Sequence, residues 1–159
     1  MSDPVQSVEL AVTIIGNENG EVLFDYSESW GAFTLPMTRI GEKPGILPHD
    51  EPTAEPAAEA ALRAAVEVLG RPLDAGHRPQ PVNVSVDPYH QSGRDGVWKR
   101  YAVKVFALRA PVGSPCPLPG HTAVWLPRHR LADLAPVSPT VGPILDAIPT
   151  AVWATLMGG

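Results

Sequence analysis

Between Pro56 and Gly70 the chain reads PAAEAALRAAVEVLG, in which Leu62, Ala65, Val66 and Leu69 recur at the i, i+3, i+4, i+7 spacing that gives a helix one apolar face. Pro56 suits the first turn, Glu51 and Glu55 favour the positive end of the helix dipole, and Gly70 followed by Pro72 stops the element. A helix with one apolar stripe must lay it on another layer, and the other apolar runs supply that layer as strands. VELAVTIIG and EVLFDYS flank Asn19-Gly20, a dipeptide that tolerates the positive φ angles of a tight hairpin turn, which predicts strands over 8–15 and 21–26. PVNVSV and VWKRYAVKVFALR predict two more strands joined by the polar loop DPYHQSGRDG, and HTAVWL predicts another. PRHRLADL reads as a short helix, and 139–157 as a helical stretch interrupted at Pro149. Residues 30–56 predict one short apolar run followed by a long Pro/Gly/acidic loop.

Composition excludes several classes of function. The formal charge of −5, with no long Lys/Arg run, offers no footprint for a nucleic-acid backbone or an anionic membrane. No apolar stretch approaches the ~18 residues needed to cross a bilayer. A single cysteine, Cys116, supports neither an internal disulfide nor a Cys-rich zinc site, and the N-terminus has no basic segment followed by an apolar run, so the expected compartment is cytoplasmic. The 19 prolines cluster between the periodic segments, where they punctuate loops. One domain spanning 1–159 is the expectation at this length.

Residues 49–71 resemble the Nudix hydrolase family, whose signature is G-x5-E-x7-R-E-U-x-E-E-x-G-U with U aliphatic, usually preceded by aromatic-x-L-P-G-G. Phe33-Thr34-Leu35-Pro36 matches the front of that loop, and Met37-Thr38 stand in place of the glycines. Glu55 is followed by seven residues and then Arg63, and Glu67 and Gly70 fall in register. His49 replaces the opening glycine, Ala64 and Val68 replace two glutamates, and Ala65 holds the aliphatic slot weakly. The hairpin before the box and the strands after it fit the family's order over nearly the whole chain. The resemblance implies an α/β fold, a Nudix-like α/β/α sandwich with a mixed central sheet.

Positions 64, 67 and 68 form one i, i+3, i+4 patch, where three glutamates would converge. Mg²⁺ requires several oxygen ligands at ~2.1 Å, and such a cluster can bridge metal ions to a diphosphate and activate water. Of that cluster Glu67 remains, with Glu55 at the start of the helix. Glu67 reads either as a weak metal ligand or as an ion-pairing surface acid with Arg63 at i, i+4. Glu55 reads equally as a helix-start acid. Loop acids Glu42, Asp50, Glu51, Asp87 and Asp95 are available as replacement ligands, although no spacing demands them. Glutamates placed at 64 and 68 are expected to complete the patch without disturbing the apolar face.

On the binding side, alternation along VWKRYAVKVFAL puts Trp98, Arg100, Lys104 and Phe106 on one face, an aromatic-cation set suited to a stacked base and its phosphates. An edge strand with surface cations and a core Phe106 is the plainer reading. Arg39 joins Trp98, Arg100 and Lys104 as a ligand-binding candidate.

Three readings follow. The first is a Nudix-fold domain with a degenerate box that binds a nucleotide-like ligand or a partner without hydrolysing it. The second is an active pyrophosphohydrolase that acts on a nucleoside diphosphate linked to another moiety, with Mg²⁺ and catalytic Glu67. The third is an interaction module, dimeric through the Val152, Trp153, Leu156, Met157 stripe, a stripe whose helical spacing fits a core equally well.

Overall fold

The computed structural model describes residues 6–28, 31–40, 42–43, 53–54, 56–73, 76–84, 89–91, 98–110, 119, 122–133, 136–138 and 141–156. Strand β1 (Gln6–Gly16) turns into β2 (Glu21–Ser27), and β3 (Ala32–Thr34) and β4 (Met37–Arg39) follow. β5 (Glu42–Lys43) and β6 (Thr53–Ala54) form a separate two-stranded ribbon ahead of helix α1 (Ala57–Leu69). Then come β7 (Gln80–Pro81), β8 (Tyr89–Gln91), the long β9 (Trp98–Arg109) and β10 (Ala123–Pro127). A 3₁₀ turn over Arg128–Asp133 leads towards α2 (Val141–Ala147) and α3 (Thr150–Leu156), which are separated by Ile148-Pro149.

The main sheet runs β10-β2-β1-β9-β7, with β3 on β2, β4 on β1 and β8 on β9. It is mixed because β1 and β9 pair in parallel from Gln6↔Lys99 to Gly16↔Arg109, while the other ladders are antiparallel. Parallel pairs sit where both faces are covered, and here alternation divides the two strands between two helical layers. Leu10, Val12, Ile14, Val103 and Val105 share a core with Val141, Ile144, Trp153 and Leu156 of α2 and α3. Ala11, Ile15, Phe106 and Leu108 face α1 instead, against Ala60, Ala61, Ala65, Val68 and Leu69. The result is the α/β/α sandwich with a mixed sheet that the resemblance implied. Trp153 and Leu156 are buried in it, so the C-terminal stripe expected as a dimer face belongs to the core; Met157 lies outside the described residues.

The hairpin differs from expectation in its turn chemistry. Four residues, Asn17–Gly20, connect the strands, and among the described residues no non-glycine has positive φ, so Asn19 does not share the left-handed conformation of Gly20 (φ 74°). Asn17 organises the turn: its Oδ1 accepts from Asn19 N and Glu21 N, both at 3.0 Å, and its own carbonyl accepts from Gly20 N. Other expectations shift too. Of PVNVSV, Pro81 belongs to β7 and 82–84 are not strand, while the polar loop after it holds β8, which pairs Tyr89↔Arg100, and the stretch after Pro36 is laddered to β1.

Gly16 is a close-approach glycine. A Cβ there would sit 3.1 Å from both the Cβ and the backbone oxygen of Leu156, so the end of α3 rests directly on the end of β1. Gly16→Ala is expected to lower unfolding stability by about 1–3 kcal/mol through overpacking, measured by urea denaturation. Gly20→Asn should be nearly neutral by the same measurement, since a Cβ there meets nothing within 4 Å and Asn tolerates the left-handed region.

Candidate functional site

The residues resembling the box come together where β1 and β2 fork. The two strands pair at Gly16↔Val22 and then separate, and the segment from β3 to β4 enters between them, laddered first to β2 (Asp25↔Thr34) and then to β1 (Val12↔Met37). Leu35 and Pro36 make the crossing; Leu35 is fully buried, and Thr13 N donates to the Pro36 carbonyl at 2.9 Å. Met37 and Thr38 therefore stand in an extended ladder, and among the described residues the positive-φ glycines are Gly20, Gly31 and Gly70. A side chain at 37 or 38 thus meets no backbone obstacle.

α1 lies over this fork and is pinned to it by the buried Thr13 hydroxyl, which donates to the Ala61 carbonyl at 2.9 Å. Pro56 precedes the helix with extended ψ (136°), and its carbonyl accepts from Glu59 N and Ala60 N, so it flanks the first turn from outside. Gly70 ends the helix in the left-handed conformation (φ 74°), its N–H donating to Val66 O at 2.7 Å.

The buried arc is Ala60, Ala61, Ala64, Ala65, Val68 and Leu69. The expected face is thereby rotated: Leu62 and Val66 are half-buried at its margin, and its centre runs through Ala61 and Val68. Val68, 1% exposed, packs in a cluster with Ile15, Leu23, Leu73 and Leu108, and Ala64 is 2% exposed. Glutamates at 64 and 68 would therefore invade the core, which corrects the expectation that they would leave it undisturbed.

Glu67 is half-buried beside this arc, and Arg63 is exposed. Both have interaction partners in the structure. Glu55 and the loop acids Asp50, Glu51, Asp87 and Asp95 lie outside the described residues. Among the described residues no three His, Cys, Asp or Glu side chains are grouped to hold a metal ion. At positions 64, 67 and 68 of α1 the donor set is the one carboxylate of Glu67 beside two buried apolar residues, which does not fit a hard divalent cation that needs several oxygens.

The binding candidates are only partly assembled. Lys104 is exposed, in the row Thr38–Ala11–Lys104 across the sheet. Phe106 is buried against Ala60 and Ala61, so the plainer core reading holds for that ring. Arg39 pairs with Leu10, in the row next to that of Lys104. Trp98 and Arg100 begin β9, paired with Gln91 and Tyr89; the side chains of Trp98, Arg100 and Arg39 lie outside the described residues. Lys104 flanks Ala11, which packs near the start of α1, and Glu67 is seven residues further along the helix from Ala60, roughly 10 Å at 1.5 Å per residue. The two do not share one compact site.

A cavity of about 880 Å³ opens at the other end of the sheet, between the Asn17–Gly20 turn, residues 76–82, the end of β9 and α3. None of Glu67, Arg39, Trp98, Arg100 or Lys104 lines it. No sequence signal pointed to it, because its walls meet only through strand register and helix packing.

No protein-family model and no curated protein matches the chain by sequence. Solved structures do match it in shape. The MutT protein from Methanosarcina mazei Go1 superposes with a TM-score of 0.60 over 87% of this chain and 90% of that one, at 16% identity. The chain has the Nudix hydrolase fold. A MutT NUDIX hydrolase from Burkholderia pseudomallei gives 0.59 at 19% identity, covering 91% and 99% of the two chains. A C. elegans Ap4A hydrolase in a binary complex gives 0.53 at 15% identity, covering 80% and 85%. At such identities the likeness carries the Nudix fold and leaves the chemistry to the side chains.

Val68→Glu is expected to destabilise the protein by about 3 kcal/mol or more, because the carboxylate has no water and no partner in the cluster it enters. Burial raises the folded-state pKa of such a group above its unfolded value, so its cost relative to wild type should shrink as pH falls towards 4 and grow above it. Urea melts of both proteins across pH check this. Glu67→Gln, at the margin of the helix, should shift stability by less than about 1 kcal/mol.

Proposed function

We propose that this chain is a Nudix-fold binding protein, with 1–159 acting as one unit, that holds a nucleotide-like ligand without the metal-dependent hydrolysis associated with an intact box. The observation that carries the reading is the burial of Ala64 and Val68. At the two positions where the signature has glutamates, the side chains are apolar and packed into the layer between α1 and the sheet. Carboxylates are absent there, and adding them would cost fold stability, so the helix has become a structural element with Glu67 as its residual acid. The ligand surface on this reading is the outer part of β9, with Trp98, Arg100 and Lys104; Arg39 of β4 stands in the register row of Leu10, which faces α2 and α3, and is left out of it. Exposure of Lys104 supports it.

Binding here requires from the residues only stacking and charge neutralisation, which exposed cations and an aromatic ring supply without a metal. Hydrolysis would require the attacking water and the diphosphate to be held together by several oxygen donors. Those donors are not grouped among the described residues.

The test is a turnover screen over nucleoside-diphosphate compounds with Mg²⁺ and Mn²⁺, combined with calorimetric titration of each metal. Expected outcomes are no appreciable turnover and no metal site tighter than on the order of a millimolar, as a single carboxylate dictates. Robust turnover abolished by Glu67→Gln, or a micromolar metal site lost in the same variant, would mean that loop acids complete the site and that the chain is an active pyrophosphohydrolase. For ligand binding, Lys104→Ala should weaken a nucleoside diphosphate by about three- to tenfold, the loss of one exposed charge contact.

A further inference from the structure

The cavity at the turn end of the sheet has a built polarity that the box residues do not account for. Its floor on the α2/α3 side is apolar, with Val82, Val152 and Leu156 contributing; Leu108 and the half-buried Trp125 line its remote part, on the α1 side of the sheet. Two cations stand on its rim. Gln80 pairs with Ala107 and Pro81 with Phe106, so the antiparallel register of β7 on β9, continued two residues, carries Arg78 towards Arg109. Both arginines line the cavity and both are exposed.

Two like charges on one cavity are unfavourable unless something neutralises them. Arg130 pairs with Asp133, and neither of these lines the cavity. Glu18 and Glu21 do line it. Glu21 accepts from Asn17 Nδ2 at 3.2 Å within the turn, and Glu18 is exposed at its tip. The turn that carries them adjoins Gly16, the register partner of Arg109, so negative charge stands on the Arg109 side of the cavity, which disfavours an extended polyanion and favours a ligand with one compact anionic head.

We infer that this cavity binds a small apolar monoester or acid: an apolar body against Val82, Val152 and Leu156, with a single phosphate or carboxylate held between Arg78 and Arg109. Guanidinium groups engage such oxygens bidentately. A volume of about 880 Å³ accommodates a ligand of this class in a protein of this size. The site is separate from the β9 surface and stands whether or not the box hydrolyses anything.

The probe is 1-naphthyl phosphate, titrated calorimetrically against the whole protein beside its two halves, 1-naphthol and inorganic phosphate. The expected result is saturable 1:1 binding at least about tenfold tighter than either half. Arg78→Ala and Arg109→Ala should each weaken it by about tenfold, the loss of one charge-assisted contact. Arg130→Ala, which removes a cation elsewhere, should leave it unchanged. Equal affinity for inorganic phosphate alone or naphthol alone would overturn the proposal, as would wild-type affinity in both arginine variants. So would loss of binding in Lys104→Ala with Arg78→Ala unaffected, which would move the probe to the β9 surface.

Discussion

The parallel pairing of β1 with β9 is the contact on which the rest of the molecule depends. It is the longest ladder in the sheet, and it joins residues some ninety positions apart in sequence. Its side chains alternate between two helical layers, so each layer is organised by half of the same two strands. Register is strongly specified by this arrangement. A one-residue slip of β1 against β9 would send Ala11 towards α2 and α3, and Leu10 and Val12 towards α1, putting large side chains where that helix approaches closely.

The small side chains on the α1 side explain how close that helix comes. Ala11 on β1 and Ala60, Ala61, Ala64 and Ala65 on α1 allow the helix backbone to approach the strand until the Thr13 hydroxyl reaches a helical carbonyl. In a family resembling this one the same surface of the helix would carry acids, and so would have to stay open. Here it is closed, and the closure is continuous with the core that contains Ile15, Leu23 and Leu108. Positions 64 and 68 of this chain belong to that packing.

Much of the fold was legible because its signals are local. Gly70 as a helix stop, a hairpin turn at Asn19-Gly20 and the break at Pro149 each rest on the backbone preferences of one or two residues. The rotation of the buried arc was not legible, because a hydrophobicity argument weights Leu62 and Val66 over alanine, whereas close packing on a strand rewards the smaller residue. The insertion of 32–39 between β1 and β2 could not be read either, since it depends on two strands diverging after a shared hairpin. At the site, sequence spacing correctly grouped 64, 67 and 68 on one side of a helix. It could not say that two of them face inwards, nor that Arg78, before β7, and Arg109, at the end of β9, line one cavity.

The outer edge of β3 has an unusual guard. Phe33 pairs there with Val137: its N–H donates to the Pro136 carbonyl at 2.8 Å, and its own carbonyl accepts from Ser138 N at 2.9 Å. Three residues from the last quarter of the chain thus occupy backbone groups that would otherwise template another strand. During synthesis β3 emerges about a hundred residues before its guard, so for that interval the Phe33 edge is open to pairing with a neighbouring nascent chain, and solubility at birth depends on a tripeptide that has not yet been made.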